Sequence, residues 1–186
     1  MSNATIIHSE RLELIPMGPD LLKASLRQEK AAASDLLGAA IPDEWFDEDG
    51  WTAVRLEQLL ENPDFQPWCV RAIVLRASRE MIGHIGFHTQ PDPAYLADIA
   101  PGGVEFGYTV FTAYRRQGYA EEASRALMAW AEGQSVVARF VLSISPENAA
   151  SLALAQKLGF VRISEWMDEE DGLEWVFARE TVQTKG

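Results

Sequence analysis

Apolar and polar residues alternate from Thr5 to Ile15, which predicts an opening strand closed by Pro16 and Pro19. Leu21 to Arg27 has the spacing of a short helix with Asp20 as its cap, and a second helix is predicted over Trp51 to Glu61, stopping before Asn62-Pro63. Val70 to Ala77 and Met81 to His88 read as two strands joined by the polar turn Ser78-Arg79-Glu80. Gln90 to Gly103 carries three prolines and two glycines and reads as a long loop. Val104 to Val110 is the next strand. Tyr119 to Gln134 follows as a helix with Ala123, Leu127, Trp130 and Ala131 on one apolar stripe. Arg139 to Ile144 reads as a strand, and Pro146 and Asn148 introduce a helix that ends at Gly159 with Lys157 in its last turn. Phe160 to Trp166 and Leu173 to Ala178 make a final pair of strands around the acidic turn Asp168-Glu169-Glu170-Asp171-Gly172. The order β-α-α-β-β-β-α-β-α-β-β predicts an α/β domain with a mixed sheet, without repeats or low-complexity tracts.

Between the strand ending at Val110 and the helix opening at Tyr119 lies Arg115-Arg116-Gln117-Gly118-Tyr119-Ala120-Glu121-Glu122-Ala123. The first turn of a helix has backbone N–H groups without intrahelical acceptors, and the helix dipole favours negative charge there. Gly118 lets the backbone come close to a phosphate because no Cβ intervenes. Arg115 and Arg116 can add charge-assisted hydrogen bonds. This stretch predicts a phosphorylated ligand without naming it. Glu121 and Glu122 favour the dipole but would repel a pyrophosphate, so they must point away from it.

A length of 186 residues fits one domain with a core of its own. The apolar runs are too short to span a bilayer, and the start, Met1-Ser2-Asn3-Ala4, lacks a basic region followed by an apolar stretch, so a cytoplasmic location is expected. The single cysteine, Cys69, excludes an intrachain disulfide and a cysteine-rich metal site. A net charge of −12 argues against general nucleic-acid binding. It suits a cationic amine substrate, although simple solubility explains it as well. No Gly-x-x-x-x-Gly-Lys-Ser/Thr stretch is present, and no Gly-x-Gly-x-x-Gly follows a strand, so triphosphatase and dinucleotide sites are not predicted. His84 and His88 lie four apart on a predicted strand, and they read as hydrogen-bonded strand histidines rather than metal ligands.

Arg115-x-x-Gly118-x-Ala120 resembles the pyrophosphate loop of the GNAT superfamily of N-acetyltransferases. Ser9-Glu10-Arg11-Leu12-Glu13-Leu14 resembles the first strand of its RimJ/RimL-like ribosomal-protein branch, and Glu105-Phe106-Gly107-Tyr108 its fourth strand. Asn148-Ala149-Ala150-Ser151 followed by Lys157-Leu158-Gly159-Phe160 resembles its second cofactor motif. The resemblance implies a single domain over residues 5–180. Its fold would be a mixed, mostly antiparallel central sheet with flanking helices and a splayed parallel pair, here Val104–Val110 and Arg139–Ile144. It implies acetyl-CoA as acyl donor, no metal, an amine acceptor, and direct attack without a covalent enzyme intermediate. No nucleic-acid or membrane partner is implied, and a homodimer is compatible with it.

Under this resemblance Tyr108 and Val110 offer backbone groups to pantetheine amides. Arg115, Arg116, Gln117, Gly118, Tyr119 and Ala120 form the pyrophosphate site. Glu105 is the candidate general base, with a pKa raised by partial burial; a structural carboxylate is the equal alternative. Asn148 is a helix N-cap that would also help place the cofactor, and Ser151 would lie near the thiolate leaving group. Ala155 stands where many relatives have a proton-donating tyrosine, so the acid would be Ser151, water or another residue. Trp45, Phe46 and Trp51, interleaved with Asp43, Glu44, Asp47, Glu48 and Asp49, are candidates for an ammonium site by cation–π contact, or else core residues beside a solvated loop. Tyr95 and Asp98 lie on a loop that could cover the acceptor. A CoA-binding module without turnover is the alternative function.

Overall fold

The computed structural model describes residues 4–134, 136–168 and 172–181. The chain divides into two compact units, one drawn from Met1–Phe87 and Tyr108–Leu127, the other from His88–Gly107 and Met128–Gly186.

In the first unit the opening stretch is a hairpin rather than one strand. β1 (Ile7–His8) and β2 (Leu12–Pro16) run antiparallel, with Ile7 opposite Leu14. Ser9-Glu10-Arg11 makes the turn because Ser9 Oγ accepts the Leu12 N–H at 3.2 Å, a local bond that competes with a continuous strand. α1 (Pro19–Leu26) starts on Pro19, whose fixed φ suits a first turn, and its N-cap is Gly18. Asp20 therefore lies in the first turn, where it complements the dipole, and does not cap the helix. α2 (Lys30–Leu37) was not predicted: its Lys-Ala-Ala-Ala-Ser-Asp-Leu-Leu sequence has high helix propensity, but it buries only Ala33 and Leu37 and so shows little periodicity. It ends at Gly38 with φ 70°, the left-handed cap that glycine supplies without strain. A 3-10 turn over Asp43–Asp47 leads to α3 (Asp49–Glu61).

β3 (Arg71–Leu75) and β4 (Glu80–Phe87) form the predicted antiparallel hairpin, and β2 pairs with β3. β5 (Gly103–Val110) ends in this unit; the Phe111 N–H donates to the Ile82 carbonyl at 2.8 Å. Gly83 makes that approach feasible, since a Cβ there would lie 2.1 Å from the Thr109 carbonyl oxygen. α4 (Tyr119–Glu132) follows, with Ala123, Leu127 and Ala131 fully buried and Trp130 only half-buried.

In the second unit β6 (Arg139–Ile144) lies between β5 and β8, giving the order β5-β6-β8-β7, where β7 is Val161–Asp168 and β8 is Gly172–Glu180. β5 and β6 are parallel, and their register stops at Glu105↔Val141, while β6 stays antiparallel to β8 as far as Ile144↔Trp175. β7 and β8 are antiparallel. The acidic turn expected between them, at Glu169, Glu170 and Asp171, lies outside the described residues. α5 (Ala149–Lys157) precedes β7. The core here includes Phe106, whose ring lies 6.4 Å from that of Phe140 and 6.2 Å from that of Phe160. Burying one such side chain contributes roughly 2–3 kcal/mol. The result, among the described residues, is the expected α/β fold: a mostly antiparallel set of eight strands with one parallel strand pair and flanking helices.

Candidate active site

The turn before α4 is built by the backbone. Thr112–Tyr114 is one 3-10 turn, and the Glu44 carboxylate anchors it by accepting the Thr112 N–H at 3.1 Å and its hydroxyl at 3.0 Å. Arg115 is extended, Arg116 has φ 63° and Gly118 has φ 82°. Left-handed backbone is ordinary for glycine and uncommon for arginine, so the loop is held in a shape its sequence would not choose freely. The Glu122 N–H donates to the Gly118 carbonyl at 3.1 Å, which starts the helix at Tyr119. The N–H groups of the residues between open this helix end, and such groups lack intrahelical acceptors.

The two acids of this first turn are both directed to arginines. Glu122 Oε1 accepts the Arg11 N–H at 2.7 Å and the Ser9 hydroxyl at 2.7 Å, and Oε2 accepts Arg11 Nε at 2.7 Å. Glu121 accepts from Arg125 at 3.1 Å. Arg11 also donates from Nη1 to the Gln117 carbonyl at 3.0 Å and lies 4.4 Å above the Tyr119 ring. Desolvation works to raise the Glu122 pKa, but its bonds to Arg11 and Ser9 and the Arg11 charge prevail and hold it below the usual carboxylate value. Arg115 Nε donates to the Val110 carbonyl at 2.9 Å, tying the loop to the end of β5, whereas Arg116 is exposed. The Gln117 side chain donates to the Ala113 carbonyl at 3.3 Å. Tyr108 is half-buried and Val110 buried.

Glu105 is 4% exposed. The Tyr95 hydroxyl donates to its Oε2 at 2.9 Å, and His88 Nδ1 lies 3.7 Å from the same oxygen, inside ion-pair reach but beyond a formed hydrogen bond. The His88 N–H also donates to the Glu105 carbonyl at 2.9 Å. Burial works to raise the Glu105 pKa, but His88, Ser143 and Tyr95 together bring it below the ordinary value. The raised pKa expected from the sequence is thus corrected. The polar partners outweigh desolvation, and the carboxylate is ionised at neutral pH.

Asn148 caps α5: its Oδ1 accepts the Ser151 N–H at 3.1 Å. Ser151 is half-buried and Ala155 is fully buried. Trp45, only 1% exposed, donates from Nε1 to Ser25 Oγ at 2.8 Å, and Phe46 is also buried. Trp51 packs 4.4 Å from the His84 ring, with the Arg55 guanidinium 4.9 Å from its ring centre. These contacts favour core packing over acceptor binding for Trp45 and Phe46, and Trp51 already carries a cation. His84 and His88, which the strand pattern treated alike, have different surroundings: His84 is buried 3.9 Å from Glu48, and His88 lies beyond the end of β4 beside Glu105. Cys69 is buried and its thiol is pushed up to about 11, which removes it as a nucleophile.

The sequence did not single out the tie from Ser9 and Arg11 to Glu122, nor the grouping of His88 and Ser143 around Glu105. Arg11 stood inside a recognised motif, and that was the available signal for the first. The second depends on partners at long separations and left none.

Residues 11–161 match the family model for an acetyltransferase (GNAT) domain. The chain is similar to the uncharacterized N-acetyltransferase YjdG of Bacillus subtilis (strain 168), with 28% identity over 158 residues, 84% of this chain and 89% of that one. Among solved structures it is similar to a ribosomal-protein-S5-alanine acetyltransferase from Vibrio fischeri, with TM-score 0.66 at 16% identity over 98% of this chain and 100% of that one. It is also similar to RimL, a ribosomal L7/L12 alpha-N-protein acetyltransferase in complex with coenzyme A, with TM-score 0.64 at 18% identity over 95% of this chain and 98% of that one. At such identities the structural likeness carries the fold alone. Among the described residues no helix is long and apolar enough to cross a membrane.

Proposed function

Because this chain belongs to the GNAT acetyltransferase family, we propose that it uses acetyl-CoA to acetylate a primary amine by direct attack, with a protein N-terminal amine as the leading acceptor class. The observation that carries the donor side is the loop at the start of α4. Left-handed backbone at Arg116 and Gly118 precedes an open helix N-terminus, and both neighbouring acids are engaged elsewhere. The residues present therefore fit a pyrophosphate. The Gly118, Tyr119 and Ala120 N–H groups would hold it, and Arg115 and Arg116 would add charge. The structural relatives named for ribosomal-protein acetylation support the protein acceptor and the RimJ/RimL-like branch, and the net charge of −12 favours a cationic amine. We take residues 5–180 as one functional domain.

In this reading Asn148 helps place the cofactor, and Ser151 serves the thiolate leaving group. Bound acetyl-CoA supplies an activated thioester. Glu105 supplies the fixed negative charge toward which the amine's surplus proton moves as the C–N bond forms and the C–S bond breaks.

Calorimetric titration with acetyl-CoA, with ATP and NAD as controls, tests the donor side. Selective binding to acetyl-CoA is expected. Gly118→Val should weaken it at least about 30-fold, because a β-branched residue is strained at φ 82° and its Cβ crowds the phosphate approach. Unchanged affinity would remove the pyrophosphate from this loop. Mass-spectrometric screening of an amine panel, from peptides to polyamines, then identifies the acceptor. Binding without turnover on every amine would leave a CoA-binding module.

A further inference from the structure

We propose that Arg11, on the opening hairpin, binds the pyrophosphate of acetyl-CoA directly through Nη2. This rests on the acetyl-CoA reading above and adds to the donor site a residue remote from its loop in sequence.

The backbone of Arg11 is fixed first. Its N–H donates to Glu122 Oε1 at 2.7 Å, which pins the β1–β2 turn against the first turn of α4. Its carbonyl accepts the Arg76 N–H at 2.9 Å. The side chain therefore leaves from backbone held on both sides.

The guanidinium is held as well. Nε donates to Glu122 Oε2 at 2.7 Å, Nη1 donates to the Gln117 carbonyl at 3.0 Å, and the group lies 4.4 Å above the Tyr119 ring. Nη2 has no hydrogen-bond acceptor among the described residues, and the side chain is 43% exposed. This spare donor borders Gly118. A Cβ added at Gly118 would lie 3.4 Å from Arg11 Nη2, and among the described residues no other atom beyond its chain neighbours comes within 4 Å of that point. The face that the missing side chain leaves open is thus the face that Nη2 flanks. A phosphate using that opening to approach the loop backbone meets the guanidinium.

The arginines of the loop itself are less prepared for this contact. Arg115 Nε is engaged by the Val110 carbonyl, and Arg116 is exposed. Arg11 is already ordered by Glu122, Gln117 and Tyr119, so it loses little side-chain freedom when a ligand arrives. Its planar fork also presents Nη2 while Nε and Nη1 stay engaged, which a lysine cannot do. Glu122 balances the Arg11 charge in the free protein. The contribution of Arg11 is therefore a placed, charge-assisted hydrogen bond more than a net attraction.

Calorimetric titration of the full chain with acetyl-CoA and with dephospho-CoA, which keeps the pyrophosphate and lacks the 3′-phosphate, reads this contact. Arg11→Gln should weaken acetyl-CoA binding on the order of 20-fold, the size of a lost charge-assisted hydrogen bond. Dephospho-CoA should lose the same factor to within about two-fold. With Glu122→Gln already in place, Arg11→Gln should still weaken binding at least about five-fold. The kcat at saturating acetyl-CoA should stay within about two-fold of wild type. Should Arg11→Gln fail to fold, Arg11→Lys carries the same comparison, because it keeps the charge and loses the fork. The proposal is overturned if Arg11→Gln costs nothing once Glu122 is replaced, since Arg11 would then act only by neutralising that carboxylate. It is also overturned if the loss disappears with dephospho-CoA, which would move the contact to the 3′-phosphate. A wild-type chain that does not bind acetyl-CoA, or a Gly118→Val chain that binds it unchanged, removes the donor-site reading itself, and either is seen before Arg11 is altered.

Discussion

Glu122 and Glu105 are both held below the ordinary carboxylate range, as is Glu48, and the first two reach that state by different means. Glu122 binds the backbone and guanidinium of Arg11 and the Ser9 hydroxyl, at the edge of the protein. Its principal partner is an arginine, which does not give up its proton in a protein. Glu105 is buried, and beside a serine hydroxyl its named partners are an imidazole and a phenol, groups that exchange protons. A carboxylate locked to a permanent cation is a strut. One surrounded by proton-exchanging groups is suited to chemistry. The lowered pKa alone does not separate the two cases; the identity of the partners does.

The largest effect that tests this difference is on turnover. Glu105→Gln should cut kcat about ten-fold with acetyl-CoA affinity retained, whereas Glu122→Gln should leave kcat within about two-fold of wild type and raise the KM for acetyl-CoA several-fold. Steady-state kinetics on one amine read both values. An equal kcat loss from both variants would erase the distinction between strut and chemical group.

A smaller effect is expected at Arg11. Arg11→Gln removes the cation that directs Glu122 away from the loop and the donor to the Gln117 carbonyl. The Arg11 side chain is 43% exposed, so the stability loss should be modest, about 1 kcal/mol by urea denaturation. The acetyl-CoA affinity should fall more than that number suggests, because Glu122, still held by the backbone N–H of residue 11 and by the Ser9 hydroxyl, would lose its neutralising cation beside a dianionic pyrophosphate. Stability loss without any loss of affinity would confine Arg11 to holding the hairpin.

How much of this was legible in the sequence follows from the range of the interactions. Gly118 and the helix opening at Tyr119 are local backbone features, so a turn-plus-helix pattern revealed them. β6 was read with its observed ends for the same reason: Arg139-Phe-Val-Leu-Ser-Ile is a short apolar run between turns. The hairpin at Ser9-Glu10-Arg11 was missed because alternation continues across it, and only the Ser9–Leu12 bonds and the tie to Glu122 reveal the reversal. Trp45 allowed two readings in sequence, a cation ligand among carboxylates or a core residue beside a solvated loop, and its ring turns inward to Ser25, in keeping with the second. The direction of the Glu105 pKa was illegible in principle. Burial was foreseeable from strand position, but the groups that oppose it are a histidine and a tyrosine upstream and Ser143, 38 positions along the chain.

The smallest effect is on stability against pH, and it separates the two carboxylates by screening. Both have folded pKa values below their unfolded ones. Each therefore contributes stability that is fully present above the ordinary carboxylate pKa, about 4.3 for Glu, and that is lost as pH falls through the depressed folded value. Urea midpoints should be flat from about pH 7 to pH 5 and fall below about pH 4. Glu122 pairs with Arg11 near solvent, where salt screens the attraction, so its share should shrink at 1 M salt. Glu105 is shielded from salt by burial, so its share should persist. Glu105→Gln should consequently flatten the acid slope at either ionic strength, and Glu122→Gln only at low salt. If high salt removed both shares equally, Glu105 would be held by long-range charge rather than by its Tyr95 hydrogen bond and the neighbouring His88 ring, and its contrast with Glu122 would collapse.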